Sequence, residues 1–233
     1  MFRSSGYWFA ALLVAAGFAF WPRYLSRFAL PEPIDRYTHF HAAVATAWCL
    51  LLIIQPFLIR GGRRELHRKI GILAWIVGPL LVIASLLLTH ARFRAMDAAT
   101  FRTEAPNMYL PLQGTVTFAW AWALAMALRK TQPLHARFMI ATGLTLLDPV
   151  VGRILGFYVP PFANPLHYQL VTFGLCDAIL LALIERPRMA PRLKRTFVLG
   201  AAVFPLVHFG WFTYAQRPAW FRVAEWFRSL PLT

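Results

Sequence analysis

About seven apolar stretches, each near membrane-spanning length, take up almost the whole of this 233-residue chain. They run over Tyr7–Trp21, Thr38–Ile59, Lys69–Thr89, Met108–Leu128, Ala136–Tyr158, His167–Ile184 and Phe197–Ala215. A helix needs roughly 20 mostly apolar residues to cross the hydrocarbon of a bilayer. No water is present there to take up backbone N–H and C=O groups, so such stretches must be helices. The expected fold is all-α, a polytopic membrane helix bundle of about seven transmembrane helices, with residues 1–233 as a single transmembrane domain. A hydrophobic content of 59% is too high for an ordinary soluble domain and fits this class. The first stretch is short, and Gly17-Phe18-Ala19 has the small-x-small form of a signal cleavage site; the expectation here is an uncleaved helix.

The formal charge of +15 does not point to nucleic acid, because the basic residues sit between the spans, where they set orientation. One set of flanks holds Arg3; Arg60, Arg63, Arg64, Arg68 and Lys69; Arg129, Lys130 and Arg137; and Arg186, Arg188, Arg192, Lys194 and Arg195. The opposite set holds Arg23, Arg27 and Arg36; Arg92, Arg94 and Arg102; and Arg217, Arg222 and Arg228. The first set is the richer, which places the N-terminus in the cytoplasm and the C-terminus outside. The partner this implies is the lipid bilayer. Cys49 and Cys176, both inside spans, read as buried thiols and not as a disulfide framework.

An internal echo opens three of the cytoplasmic-side spans: Glu65-Leu66-His67-Arg68-Lys69, Pro133-Leu134-His135-Ala136-Arg137 and Arg192-Leu193-Lys194-Arg195. Leucine dipping inward beside cations that reach headgroup phosphates explains the pattern as interfacial anchoring. It does not explain histidine at two of the three places. On the opposite side, Ala91–Pro106 and Pro218–Leu230 have the spacing of amphipathic interfacial helices, the latter with Trp220, Val223, Phe227 and Leu230 toward one face. Gly61-Gly62 and Pro160-Pro161 mark turns, while Pro56, Pro79 and Pro149 fall inside spans as kinks.

Histidines at matched depths are the first candidate site. The third span carries His67 and His90 at its two ends, separated by roughly the hydrocarbon thickness at a rise of about 1.5 Å per residue. That is the layout of a b-type cytochrome with a haem near each face, each iron taking imidazoles from two helices. The candidate pairs are His67 with His135 inside, as iron ligands, and His41 with His90 outside. Arg68, Arg137 or Arg153 would then face haem propionates. The bland alternative is that these histidines are interfacial.

A polar intramembrane layer is the second candidate: Gln113, Asp148, Arg153, Asp177 and His208, on four different spans at similar depth. Charges inside a span are costly and default to a functional reading, here an outward-opening cavity for a solute, a proton or a quinone headgroup. Arg153 and Asp177 could equally form a purely structural pair. A metal-dependent intramembrane hydrolase built on His41, His208 and an aspartate is a further alternative. The seventh span has no internal lysine for a retinal Schiff base, and no HExxH pair, GxSxG elbow or phosphate loop is present.

The run His41-Ala42 to Trp48, Gln55-Pro56 and Gly61-Gly62-Arg63-Arg64-Glu65-Leu66-His67-Arg68-Lys69-Ile70-Gly71, followed by His135-Ala136-Arg137-Phe138-Met139, Asp148-Pro149 and Gly152-Arg153, resembles a group of uncharacterised bacterial multi-pass membrane proteins. They carry LHRxxG and HxRxM signatures. The His-Arg-x-x-Gly element is also distantly similar to transmembrane b-type cytochromes, in which that histidine ligates haem. The resemblance implies the bacterial inner (cytoplasmic) membrane and haem b on His67 and His135, with His41 next. Electron transfer to or from a quinone or a redox partner protein would follow. The competing class is a non-redox module, a small-solute transporter or an assembly partner, that uses the polar layer.

Overall fold

A computed structural model describes residues 4–31, 33–185 and 189–233 of the chain. Arg3, Arg186 and Arg188, counted above among the cytoplasmic cations, lie outside the described residues. Among the described residues the regular structure is entirely helical: α1 (Ser5–Phe20), α2 (Arg36–Arg60), α3 (Arg64–Gly71), α4 (Ala74–Arg94), α5 (Ala98–Ala127), α6 (Gln132–Tyr158), α7 (Pro165–Glu185), α8 (Pro191–Ala201), α9 (Val203–Thr213) and α10 (Pro218–Ser229), with short 3-10 turns at Leu25–Ala29 and Pro160–Phe162.

Among the described residues, five helical paths are long and apolar enough to cross a membrane: α2, α3 running on into α4, α6, α7, and α8 running on into α9. Two of the seven expected spans do not reach that standard. The first falls in α1, whose 16 residues cover about 24 Å at 1.5 Å each, short of a hydrocarbon core of about 30 Å. The fourth falls in the C-terminal two-thirds of α5, where Gln113, Thr115, Thr117 and the indoles of Trp120 and Trp122 lower the hydropathy.

Helix ends are set locally. The Asp35 carboxylate accepts from the Tyr37 N–H at 2.8 Å and starts α2; Asp97 accepts from Ala99 and Thr100 N–H groups at 2.9 and 3.0 Å and starts α5. The hydrogen bonds from Thr100 hold the Asp97 carboxyl below the usual aspartate range, so this cap is complete at neutral pH and loosens only as the carboxyl takes up a proton in acid. Because Asp97 starts α5, Ala98–Pro106 forms the first turns of that helix and not a separate interfacial one. α2 ends in a Schellman motif: Arg63 N–H reaches Leu58 C=O at 2.9 Å and Gly62 N–H reaches Ile59 C=O at 3.2 Å, with Gly62 at φ +73.

The distribution of polarity is inverted relative to a water-soluble bundle. Trp8, Leu206, Phe209, Leu199 and Leu181 are each more than 60% exposed, whereas Thr142, Thr172, Arg137 and His90 are completely buried. Such an apolar surface suits lipid. The main core lies between α2, α4, α5, α6, α7 and α8, around Trp48, Phe118, Phe138 and Phe197. A second cluster holds α10 against the adjoining ends of α4 and α5 through Trp220, Ala224 and Phe227; Val223, expected on the same face, is 38% exposed.

Indoles fasten neighbouring helices through main-chain carbonyls: Trp122 to Ala74 at 2.9 Å, Trp120 to Gly200 at 2.8 Å and Trp220 to Ala105 at 2.8 Å. The Trp122 ring lies directly across Gly78, where an added Cβ would sit 2.2 Å from its nitrogen. Gly78→Ala should therefore displace the indole and cost about 1–3 kcal/mol, read as a lower melting temperature in detergent. Gly114→Ala, which meets nothing within 4 Å, is the matched control. Equal melting of the two variants would contradict this α4–α5 contact.

Candidate functional site

The three echoed segments occupy one structural position. His67, His135 and Lys194 are each the fourth residue of their helix, and their N–H groups bond the carbonyls of Arg63, Thr131 and Ala190, the residues just before α3, α6 and α8. His67 and His135, the expected inner pair, lie within electrostatic reach of each other. His135 Nδ1 is 2.9 Å from the Ala125 carbonyl. A carbonyl only accepts, so Nδ1 carries the proton and Nε2 keeps its lone pair free. That is the orientation of an imidazole prepared as a metal ligand.

His67 is held differently, by a residue that sequence reasoning passed over as half of a Gln55-Pro56 motif. The Gln55 carboxamide donates to His67 Nδ1 and to the His67 carbonyl at 3.1 Å, and accepts from Gly71 N–H at 3.1 Å. Gln55 thus ties α2 to the last turn of α3, and the helix then tightens through Leu73 N–H to Ile70 C=O and Trp75 N–H to Ile72 C=O, each 3.0 Å, before α4. With Nδ1 accepting, neutral His67 carries its proton on Nε2. His135 therefore fits an iron ligand as it stands, and His67 fits one only once Gln55 releases it.

The expected outer pair is engaged on two sides of α4. His41 Nδ1 lies 3.3 Å from the Ser85 hydroxyl, whereas His90 Nδ1 lies 2.7 Å from the Thr233 hydroxyl under α10. Ser85 and His90 are five residues apart, roughly 140° around a helix of 3.6 residues per turn. His90 Nε2 and Gln113 Oε1 are buried with no partner among the described residues. Arg137, a candidate for propionates, instead donates through Nε to the Leu183 carbonyl at 2.7 Å, stabilising the C-terminal turn of α7.

The polar layer resolves into two parts along α7. Near its N-terminal end, Asp148 Oδ1 accepts from Gln169 Nε2 at 2.9 Å and Thr172 Oγ1 at 2.6 Å, both donors being buried. Half-way along the helix, Asp177 Oδ1 meets His208 Nδ1 at 3.0 Å, and the imidazole stacks on Phe173 with centroids 4.1 Å apart. Cys176 lies within electrostatic reach of both aspartates. The structural pair Arg153–Asp177 weighed from sequence is not formed. Arg153 donates to its own Pro149 carbonyl at 2.9 Å and lies 4.6 Å from the Phe20 ring centre. It lies within electrostatic reach of Asp148, Tyr168, Arg23, Arg92 and His41.

Gln169 and Thr172 escaped the sequence reading, although a signal was there. They belong with Phe173, Cys176, Leu180 and Leu183 to one helical stripe at spacings of three and four, which is the buried face of α7. His41 and the His208–Asp177 pair do not form a metal cage: among the described residues no three His, Cys, Asp or Glu side chains converge as ligands.

No protein-family model, curated protein or solved structure matches this chain. The likeness to b-type cytochromes therefore rests on its short motifs. Within the polar layer, Thr172→Val should strip Asp148 of a buried donor and cost about 1–3 kcal/mol in a thermal melt. Thr213→Val, at an exposed hydroxyl bonded only within α9, should leave the melt unchanged, and equal effects would contradict the Asp148 network.

Proposed function

We propose that this is a non-redox, multi-pass inner-membrane protein, a small-solute transporter that exchanges a proton at Asp177–His208. The bundle would cross the membrane seven times with its N-terminus in the cytoplasm. One observation carries the reading: a carboxylate and an imidazole share a hydrogen bond of 3.0 Å about half-way along α7. The pair lies twelve residues from the start of α7, about 18 Å of helix rise. Ionisable groups held at that depth are characteristic of proton relays. The pair can hold its proton as imidazolium with carboxylate or as two neutral groups, and the exchange needs no further protein base. Asp148, Gln169 and Thr172, bonded together nearer the start of α7, would line the way from it toward the outer face.

The test is proton uptake into proteoliposomes loaded with a pH-sensitive dye, under an imposed membrane potential. Asp177→Asn and His208→Phe should each lower uptake at least tenfold while keeping the elution profile of the parent protein. Uptake by Asp177→Asn at the parent rate would remove the reading.

A second reading, membrane electron transfer through haem b, is favoured by the free Nε2 of His135 beside His67. Bound haem would supply one-electron chemistry toward a quinone or a redox partner protein. His135 would hold it, and Gln55 would have to turn for His67 to do so. A reduced-minus-oxidised spectrum of protein expressed with ample haem separates the two readings. This one expects a sharp alpha band that His135→Ala abolishes; a flat spectrum from folded protein removes it.

A further inference from the structure

We propose that the outer end of the bundle is a binding site for a phosphate-bearing anion, formed by Arg23, Arg92 and Arg153 with Tyr168 and His41 at its edge. It rests on the transporter reading above and names the chemistry of what the outward face receives. The two helix ends that build it are interlocked. Arg153 of α6 lies over Phe20 at the end of α1, 4.6 Å from the ring centre, while Arg23, three residues beyond α1, lies over Phe157 of α6 at 5.0 Å. The Tyr158 hydroxyl closes the same seam by donating to the Phe18 carbonyl at 3.1 Å.

The neighbouring helices meet this seam. Tyr168 of α7 lies against Gly152 and Gly156 of α6, on either side of Arg153, where an added Cβ would sit 3.4 Å from the ring. Arg92 reaches the same field from the end of α4. His41 of α2, bonded to Ser85 of α4, lies within electrostatic reach of Arg153.

The charge balance decides what such a place accepts. Among the described residues, no carboxylate lies within ion-pair distance of Arg23, Arg92 or Arg153. Two carboxylates share this field: Asp148, which receives two hydrogen bonds from α7 at one oxygen, and Glu104, within electrostatic reach of Tyr168. The three guanidinium groups outnumber these two carboxylates and repel one another, and an oxyanion relieves the excess. Arginine forks suit phosphate in particular, since several acceptor oxygens can each take an N–H. Arg23 and Arg92 are exposed and Arg153 is half-buried, so an anion can enter from outside and settle against the aromatic floor. The same chemistry serves a free phosphate compound and a phospholipid headgroup of the outer leaflet.

Two probes distinguish these sources. Inorganic phosphate is titrated calorimetrically into the full chain held in phosphatidylcholine nanodiscs. Retention of phosphatidylglycerol over phosphatidylcholine is measured by native mass spectrometry. Arg153→Gln, Arg23→Gln and Arg92→Gln should each weaken binding about tenfold, the loss of one charge-assisted hydrogen bond, while Arg222→Gln on α10 should not. Saturable phosphate binding with this pattern assigns a free anion; the same pattern seen only for phosphatidylglycerol assigns a headgroup. Arg23 and Arg92 are exposed, so their variants carry the test if Arg153→Gln does not fold. Binding of neither probe, or equal weakening by Arg222→Gln, overturns the site. Because proton uptake through Asp177 is read separately, loss of the anion site leaves the transporter reading standing, and intact uptake in Asp177→Asn removes that reading without touching the anion site.

Discussion

Polar groups inside a hydrocarbon slab have no water to turn to, and every unusual contact in this bundle answers that constraint. The tryptophans give their indole N–H groups to carbonyls of adjoining helices, so that bulky residues become fasteners as well as filling. Arg137 spends its charge on a carbonyl in the last turn of α7, where the helix dipole favours a cation. Gln55 reaches from α2 to both the carbonyl of His67 and the N–H of Gly71. A carboxamide can do this because it offers a donor and an acceptor side by side. The last turn of α3 is thus tied to α2, and the histidine on it is fixed in one tautomer.

The same constraint divides the bundle into two ends of different chemistry. α7 carries Gln169 and Thr172 toward the start of its buried face, Cys176 near the middle, and Leu180 and Leu183 toward its end. A helix with a uniformly apolar seam would pack equally well along its length; this one meets polar side chains of α6 and α9, Asp148 and His208, toward its start and middle. The polar residues at the opposite end of the bundle bond main-chain groups: His135 to Ala125, Gln55 to His67 and Gly71, Arg137 to Leu183. Polar side chains that repair backbone are structural first, whereas side chains that bond one another across helices remain able to exchange protons.

Helix class and most helix positions were legible in the amino-acid order because hydrophobic length is a one-dimensional property. Among the described residues the crossing standard was met by five paths, and α1 and α5 show why counting is harder than detecting: one is short, and the other carries indoles, threonines and a glutamine along its length. Depth was legible too. Equal depth placed His67 near His135 and Asp177 near His208, since both comparisons need only the rise per residue. Azimuth was not. His41 and His90 share a depth yet engage different sides of α4, and Arg153 turns to Phe20 and not to Asp177. Rotation about a helix axis is set by packing, which a single sequence does not state. Gln55 was invisible for a related reason: a lone glutamine in a span reveals its role only when the facing helix is known to break.

Charge counting shows the same limit most sharply. The positive-inside rule weighs Arg23 and Arg92 as two cations on the poorer side, and that sum is all that orientation requires. Position in space gives them a different meaning. Cations that only set topology gain by standing apart in water, where each is hydrated and their repulsion is screened over about 10 Å. Arg23 stands with Arg153 at a seam where α1 and α6 exchange cation–π contacts, and Arg92 lies within electrostatic reach of it. Aromatic faces hold guanidinium groups in place without neutralising them. Three such charges beside only two carboxylates, Asp148 and Glu104, leave a local excess of positive charge that a sum over loops does not reveal.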